Sequence, residues 1–253
     1  MKQIPNLFTL LNLLFGCLAI IVILQNGIVI QYNEEGSQFV SIPEKIWLAS
    51  AFIAAAALVD FFDGFVARLF NATSEMGKQL DSLADVVSFG VAPSLIIYQF
   101  LRLSYAREED GIEVSLVWLL PALAVALAAA YRLAKFNIES SGEYYFKGMP
   151  TPAVGILVAS LPVIYWNTDD ATIITLLLNK WFLYALVIIL CWLMLSNLKL
   201  MALKFRDYTL AGNLPKVLLV GLSVLLLILF KWIAIPFIFI LYILLSLIFK
   251  NRL

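Results

Sequence analysis

Apolar residues run along this chain in long blocks, each closed by a short polar or charged stretch. A helix needs about 20 mostly apolar residues to cross the hydrocarbon core of a bilayer. Blocks of that kind cover roughly Phe8–Ile30, Ile46–Leu69, Gly77–Leu103, Ser115–Phe136, Ala153–Trp166 and a stretch within Ala171–Leu195. Two more, Val217–Phe230 and Trp232–Phe249, are separated by Lys231 alone and predict a tight hairpin. Unpaired backbone groups are not tolerated against lipid, so the blocks are predicted helices. The pattern therefore predicts an all-α, polytopic membrane protein with about eight transmembrane helices. Only Lys2 precedes the first block, and no small-residue cleavage site follows it. It is predicted to be a first span, not a signal peptide. A lipoprotein-like reading of Leu14-Phe15-Gly16-Cys17 fails on the bulky Phe15 and on the apolar residues after Cys17.

Composition supports the membrane assignment. Hydrophobic residues make up 63% of the 253 residues and charged residues 13%, and mean hydropathy is +0.96. Soluble domains are about half apolar and a quarter charged. Lysine plus arginine and aspartate plus glutamate number 17 each, and this zero net charge argues against a nucleic-acid partner. Histidine is absent, which removes the usual general base and the commonest nitrogen ligand for metals. Cys17 and Cys191 both lie in apolar blocks and cannot form a zinc site by themselves, so they are predicted packing residues.

Loop charges predict orientation. The segments after the second, fourth and sixth blocks carry Arg68, Lys78, Arg132, Lys135, Lys147, Lys199, Lys204, Arg206 and Lys216. The intervening loops hold Glu34, Glu35, Asp110, Asp169 and Asp170. By the positive-inside rule the first group is cytoplasmic. Lys2, Lys250 and Arg252 then place both termini in the cytoplasm, as an even number of spans requires. Arg102 and Arg107 fall on the opposite side, among acidic neighbours.

Four aspartates stand inside or at the ends of otherwise apolar helices: Asp60, Asp63, Asp81 and Asp85. An ionised carboxylate at membrane depth costs about 2.5–3.5 kcal/mol on insertion scales. Four together also repel one another, so the group needs cations to neutralise it. Asp60 and Asp63 share one helix face by their i, i+3 spacing, and Asp81 and Asp85 share another by i, i+4. A short turn, Asn71–Met76, is predicted to join the two helices as antiparallel neighbours, with all four carboxylates in one cleft. Oxygen ligands without histidine or thiolate suit Mg²⁺, Mn²⁺ or Ca²⁺, and two ions would balance the charge. Gly64, Ala67 and Gly77 leave room for a ligand to approach the backbone, and Arg68 can pair with phosphate oxygens.

Asp60-x-x-Asp63-Gly64-x-x-Ala67-Arg68, followed after eight residues by Gly77-x-x-x-Asp81-x-x-x-Asp85, resembles the full signature of the CDP-alcohol phosphotransferases. The resemblance covers Pro5 to the sixth block. It implies a six-helix core of about residues 1–198 with two appended helices, about 215–250, in one integral-membrane catalytic domain over 1–253. It implies that Asp60, Asp63 and Asp81 hold a pair of ions, Mg²⁺ or Mn²⁺. Asp85 would be the general base and a neighbour or ligand of the metal. Asp60, Gly64, Ala67, Arg68 and Gly77 would contact the CDP-lipid. Pro5-Asn6-x-x-Thr9 resembles the family's N-terminal nucleotide-side element and adds Asn6 and Thr9 to that set. The resemblance further implies a homodimer in the cell membrane, with the active site facing the cytoplasm and water-soluble substrates and the lipid tails left in the bilayer.

Ser88-Phe89-Gly90-Val91-Ala92-Pro93 resembles the phosphatidylserine-synthase branch of that family. So do Arg132-Leu133-Ala134-Lys135-Phe136-Asn137 and the segment Phe146–Ala153, with Lys135 and Met149 standing where Arg and Leu are more usual. This branch implies transfer of a phosphatidyl group from CDP-diacylglycerol to L-serine. Serine carries a carboxylate, and a cation is needed to hold it beside acidic residues. Arg132 and Lys135 are the candidates, with Ser88, three residues after Asp85, expected on the cleft face. A phosphorylated acceptor, glycerol 3-phosphate or inositol phosphate, is the alternative that keeps the same chemistry. A divalent-cation transporter is a remote alternative, because intramembrane carboxylates also mark ion pathways. Here, however, the carboxylates gather in one hairpin, with no second copy elsewhere in the chain.

Overall fold

A computed structural model describes residues 4–32, 38–69, 74–108, 111–138, 145–202 and 213–250. For Ile4, Gln38, Phe39, Ile112 and residues 65–69 it describes the backbone alone. Lys2, Glu34, Glu35, Asp110, Lys204, Arg206 and Arg252, used above to argue orientation, lie outside the described residues. So does the part of the Asn71–Met76 turn before Ser74.

The chain begins with α1 (Ile4–Gln25), a short antiparallel hairpin β1 (Val29–Tyr32) and β2 (Gln38–Ser41), and α2 (Trp47–Leu69). The first helix thus stops earlier than the apolar pattern suggests. Asn26 and Gly27 break it, and Val29 and Ile30 pair across the hairpin instead. Next come α3 (Glu75–Asp85) and α4 (Ala92–Ala106), joined without interruption by a π-helical turn, Val86–Val91. A short α5 (Leu116–Leu119) leads through a 3-10 turn into α6 (Ala124–Ile138). Strand β3 (Tyr145–Lys147), α7 (Thr151–Asn167), α8 (Ala171–Leu177), α9 (Lys180–Leu195) and β4 (Lys199–Met201) follow. The described chain closes with α10 (Leu214–Phe230) and α11 (Ala234–Ile248).

Five described helical stretches are long and apolar enough to cross a membrane, and the bent pair α8–α9 makes a sixth. The two helices of that pair meet at 62°, where Asn179 caps α9 by accepting from the N–H groups of Trp181 and Phe182. The difference from eight lies in two places. Helix α7, at 17 residues, spans only about 26 Å. Helices α10 and α11 run on through a single 3-10 turn and count as one stretch by length. Lys231 has φ 49° there, and Leu219 and Leu245 pack in one cluster with Met201, so the stretch folds back on itself as the predicted hairpin.

The central element is the continuous α3–π–α4 helix. Phe89, Ile96, Ile97 and Phe100 on it are fully buried, with the other helices gathered round. Helix α1 packs against both α2 and α3, whereas α2 and α3 scarcely touch. The two aspartate helices are therefore not the direct neighbours their short connection predicts. A third helix holds them, and the space between them stays open.

Among the described residues, segments around the ends of the second, fourth and sixth apolar blocks meet at one end. Lys78 Nζ donates to the Asn137 carbonyl, and β3 pairs with β4. At the other end Lys180 bridges Glu108 at 2.7 Å.

Close approach at the π turn requires glycine from its neighbours. A Cβ on Gly16 of α1 would collide with the Ser88 hydroxyl and lie 2.9 Å from the Ser88 Cα. A Cβ on Gly155 of α7 would lie 2.9 Å from Phe89 Cδ1. Overpacking of this kind costs about 1–3 kcal/mol. Gly16→Ala is expected to lower the thermal midpoint of the purified protein by several degrees, measured by fluorescence melting in detergent.

Candidate metal centre and cleft

Two helices deliver the four aspartates, two from each. Asp60 and Asp63 lie in the C-terminal half of α2, after the run Ala54–Ala57. Helix α3 starts at the N-cap Ser74, whose Oγ accepts from the Gly77 N–H at 3.0 Å, and carries Asp81 and Asp85. Asp63 and Asp85 are buried, at 7% and 6% exposure, in a region otherwise made of apolar helix faces.

One carboxylate oxygen each from Asp60, Asp63 and Asp81 lies within 4.8 Å of the other two. The charges of Asp60 and Asp85 also bear on each other. Carboxylates this close cannot all ionise unless a cation or a shared proton sits between them. Among the described residues no lysine or arginine forms an ion pair with any of the four, and Asp81 Oδ1 is buried without a partner. An all-oxygen donor set with an unclaimed buried oxygen fits a hard divalent cation. Asp85 stands apart from the three-oxygen group. Its Oδ1 accepts from Asn12 Nδ2 at 3.2 Å.

Helix α1 supplies the groups that hold these carboxylates. Thr9 Oγ1 donates to Asp63 Oδ2 at 2.9 Å, its other acceptor being the Pro5 carbonyl at 3.2 Å. Asn12, one turn further on, reaches Asp85. Asn12 did not emerge from the sequence argument, although a lone amide in the middle of an apolar helix, on the face of Thr9, is a usable signal.

Beside the carboxylates a cleft of about 480 Å³ opens, bounded by Asn6 and Thr9 of α1, Asp63 and Gly64 of α2, and Gly77 and Asp81 of α3. That volume is typical of a small-molecule site. Gly64 faces open space, with no atom within 4 Å of where a Cβ would stand. At Gly77 a Cβ would lie 3.0 Å from Asn6 Oδ1, so this glycine lets α1 and α3 approach. Ala67 and Arg68 lie on the final turn of α2, and their side chains are outside the described ones.

Of the predicted acceptor residues, Arg132 lies behind the carboxylates. It is buried, feels the charge of Asp85, and donates from Nη1 to Thr151 Oγ1 at 3.1 Å, leaving its Nε without a partner. Lys135 Nζ donates to Asn197 Oδ1 and borders a narrow gap with Arg132, Lys147 and Ser196. Ser88 does not face the cleft. It is fully buried, and its Oγ donates to the Asn12 carbonyl at 3.0 Å. The i+3 extrapolation from Asp85 assumes an α-helical period, and the π turn changes it.

The family model for CDP-alcohol phosphatidyltransferases matches residues 2–193 and stops short of α10 and α11. A Helicobacter pylori CDP-diacylglycerol–serine O-phosphatidyltransferase is 38% identical over 156 residues, 61% of this chain and 54% of that protein. The Bacillus subtilis protein of the same name is 37% identical over 165 residues, 65% of this chain and 78% of that one. A Saccharomyces cerevisiae protein of that name is 37% identical over 128 residues, 47% and 42%. The chain spans about half the length of the Helicobacter relative. With Asp60, Asp63 and Asp81 of the signature converging beside one cleft in a bundle of apolar helices, and the family model matching most of its length, this integral membrane protein belongs to the CDP-alcohol phosphatidyltransferase family.

Proposed function

We propose that this protein transfers the phosphatidyl group of CDP-diacylglycerol to the hydroxyl of L-serine, releasing CMP and forming phosphatidylserine. The observation that carries the reading is the convergence of Asp60, Asp63 and Asp81, two of which line an open cleft, with Asp85 held by Asn12 within reach of the charge of Arg132. The names of the relatives support serine as acceptor.

Asp60, Asp63 and Asp81 would hold one or two ions, Mg²⁺ or Mn²⁺. Bound there, the metal supplies Lewis-acid neutralisation of pyrophosphate charge. Asn6, Thr9, Gly64 and Gly77 line the space for the CDP group, and Ala67 and Arg68, further along α2, would add to it. Asp85 accepts the serine hydroxyl proton as the new phosphorus–oxygen bond forms and the bond to CMP breaks. Asn12 occupies one oxygen of Asp85 and leaves the other for that proton. Arg132 offers its unpartnered Nε–H to the serine carboxylate, which would otherwise be repelled by the aspartates. Lys135 stands at the outer side of the same position. The single catalytic domain sits in the cell membrane with the cleft and both termini on the cytoplasmic side, where the loop lysines gather, and works as a homodimer.

The direct test is CMP release from CDP-diacylglycerol by purified protein with Mg²⁺ or Mn²⁺. Release that depends on L-serine is expected. Release only with glycerol 3-phosphate or inositol phosphate would keep the fold and metal centre and refute the acceptor. Asp85→Asn is expected to bind CDP-diacylglycerol normally and to lose turnover by about 10²–10⁴-fold. Near-normal turnover would remove Asp85 as the base. Arg132→Gln is expected to raise KM for serine by about 10-fold or more, since a hydrogen bond to a charged group contributes about 1.5–3 kcal/mol. KM for CDP-diacylglycerol should stay unchanged, as steady-state kinetics would show.

A further inference from the structure

At the end of the bundle opposite the aspartates lies a second opening, a groove of about 510 Å³ between α2, α7 and the turn joining α10 to α11. It is not a continuation of the cleft. At about 100° per residue, Trp47, Ser50, Ala51 and Ala54 form one face of α2, and Asp60 and Asp63 project from another. Small side chains make its floor, Ala51 and Ala54 from α2 and Ala159 from α7. The appended hairpin, which lies beyond the family match, supplies the remaining wall through Trp232 and Ile235.

Three features bear on the occupant. Trp47, Trp166 and Trp232 stand at the mouth, 43%, 39% and 48% exposed, so their rings are neither locked in the core nor turned wholly away from a ligand. Glu44, just ahead of α2, is the one charged residue of the lining. Ser50, one helical turn inside Trp47, is 6% exposed and its Oγ has no hydrogen-bond partner. Tryptophan belts mark the membrane–water interface, so Ser50 lies at about the depth of lipid ester groups and Ala54 at that of the acyl chains. Aromatic faces beside a carboxylate attract an ammonium group. An anionic headgroup would be repelled by Glu44.

We propose that this groove is a second lipid site, in the membrane half opposite the carboxylate cleft, for a zwitterionic glycerophospholipid. One acyl chain fills the alanine-lined floor, the Ser50 hydroxyl donates to an ester carbonyl, and the headgroup ammonium rests against Glu44 and the tryptophan rings. The hairpin α10–α11 closes the site. Its test is independent of the acceptor used in catalysis.

Full-length protein is reconstituted in nanodiscs of equimolar phosphatidylethanolamine and phosphatidylglycerol, and retained lipid is measured by native mass spectrometry. The wild type is expected to retain phosphatidylethanolamine with about five- to tenfold preference. Glu44→Gln, an exposed and conservative change, should bring that preference to about parity. Ala54→Phe should fill the groove and abolish retention, with the thermal midpoint unchanged as the control for folding. Equal retention of both lipids by the wild type, or unchanged retention in Ala54→Phe, would overturn the proposal. A raised KM for CDP-diacylglycerol in Ala54→Phe would assign the groove to the substrate's own tail. A shift from dimer to monomer in that variant would assign it to a second copy of the chain. Either result also overturns the zwitterionic-lipid site.

Discussion

Four carboxylates have to be kept together where lipid surrounds most of the chain, and the remaining architecture answers to that demand. Each costs several kcal/mol at membrane depth if left ionised and unaccompanied. The bundle meets the cost by gathering Asp60, Asp63 and Asp81 beside an open cleft that Asp63 and Asp81 line, where a cation and a polar ligand can reach them, and by giving Asp85 a hydrogen bond from Asn12. This is why α2 and α3, which a short connection would otherwise press together, hardly touch. Helix α1 takes up the packing in their place and carries the two polar side chains, Thr9 and Asn12, that hold Asp63 and Asp85.

That role of α1 depends on the π turn in the central helix. The turn lets Ser88 reach the Asn12 carbonyl while Gly16 comes close enough to touch it. The same few residues thus fix the distance between α1 and the central helix and the orientation of Asp85. π turns often occur at functional sites. Here the turn itself carries the buried packing residues Ser88, Phe89 and Gly90 directly after the carboxylate of Asp85.

The appended hairpin is tied to the core at both ends. Near the cleft end, Tyr242 donates to the Met201 carbonyl, and the Met201 N–H donates to Ser246, so α11 grips strand β4. Strand β4 in turn pairs with β3, which leads into Thr151, the partner of Arg132. At the far end the tip of the hairpin leans on α7 through the turn Lys231–Ile233. Helices outside the matched family region therefore brace the segment that leads to Thr151, the partner of Arg132, and they shape the opposite groove.

The class of protein and the chemistry of its site are legible in the sequence because both rest on residue type and spacing. Apolar blocks of span length, a cluster of carboxylates without histidine and the placement of Asp60, Asp63, Asp81 and Asp85 on helix faces need no tertiary information. The loops that gather at the cleft end could be grouped from charge alone, and the contacts of Lys78 and of β3 with β4 agree. Other features depended on distances between helices, which periodicity does not encode. Asn12 is one amide among apolar residues until α3 is beside it. Ser88 faces α1 because a π turn changes the helical period, and the pattern of apolar residues looks the same through that turn. The first helix ends at Gln25 because Val29 and Ile30 find strand partners. The separation of α2 from α3 was likewise settled only in three dimensions, since a short connection allows both contact and a cleft, and the choice between them lies with α1.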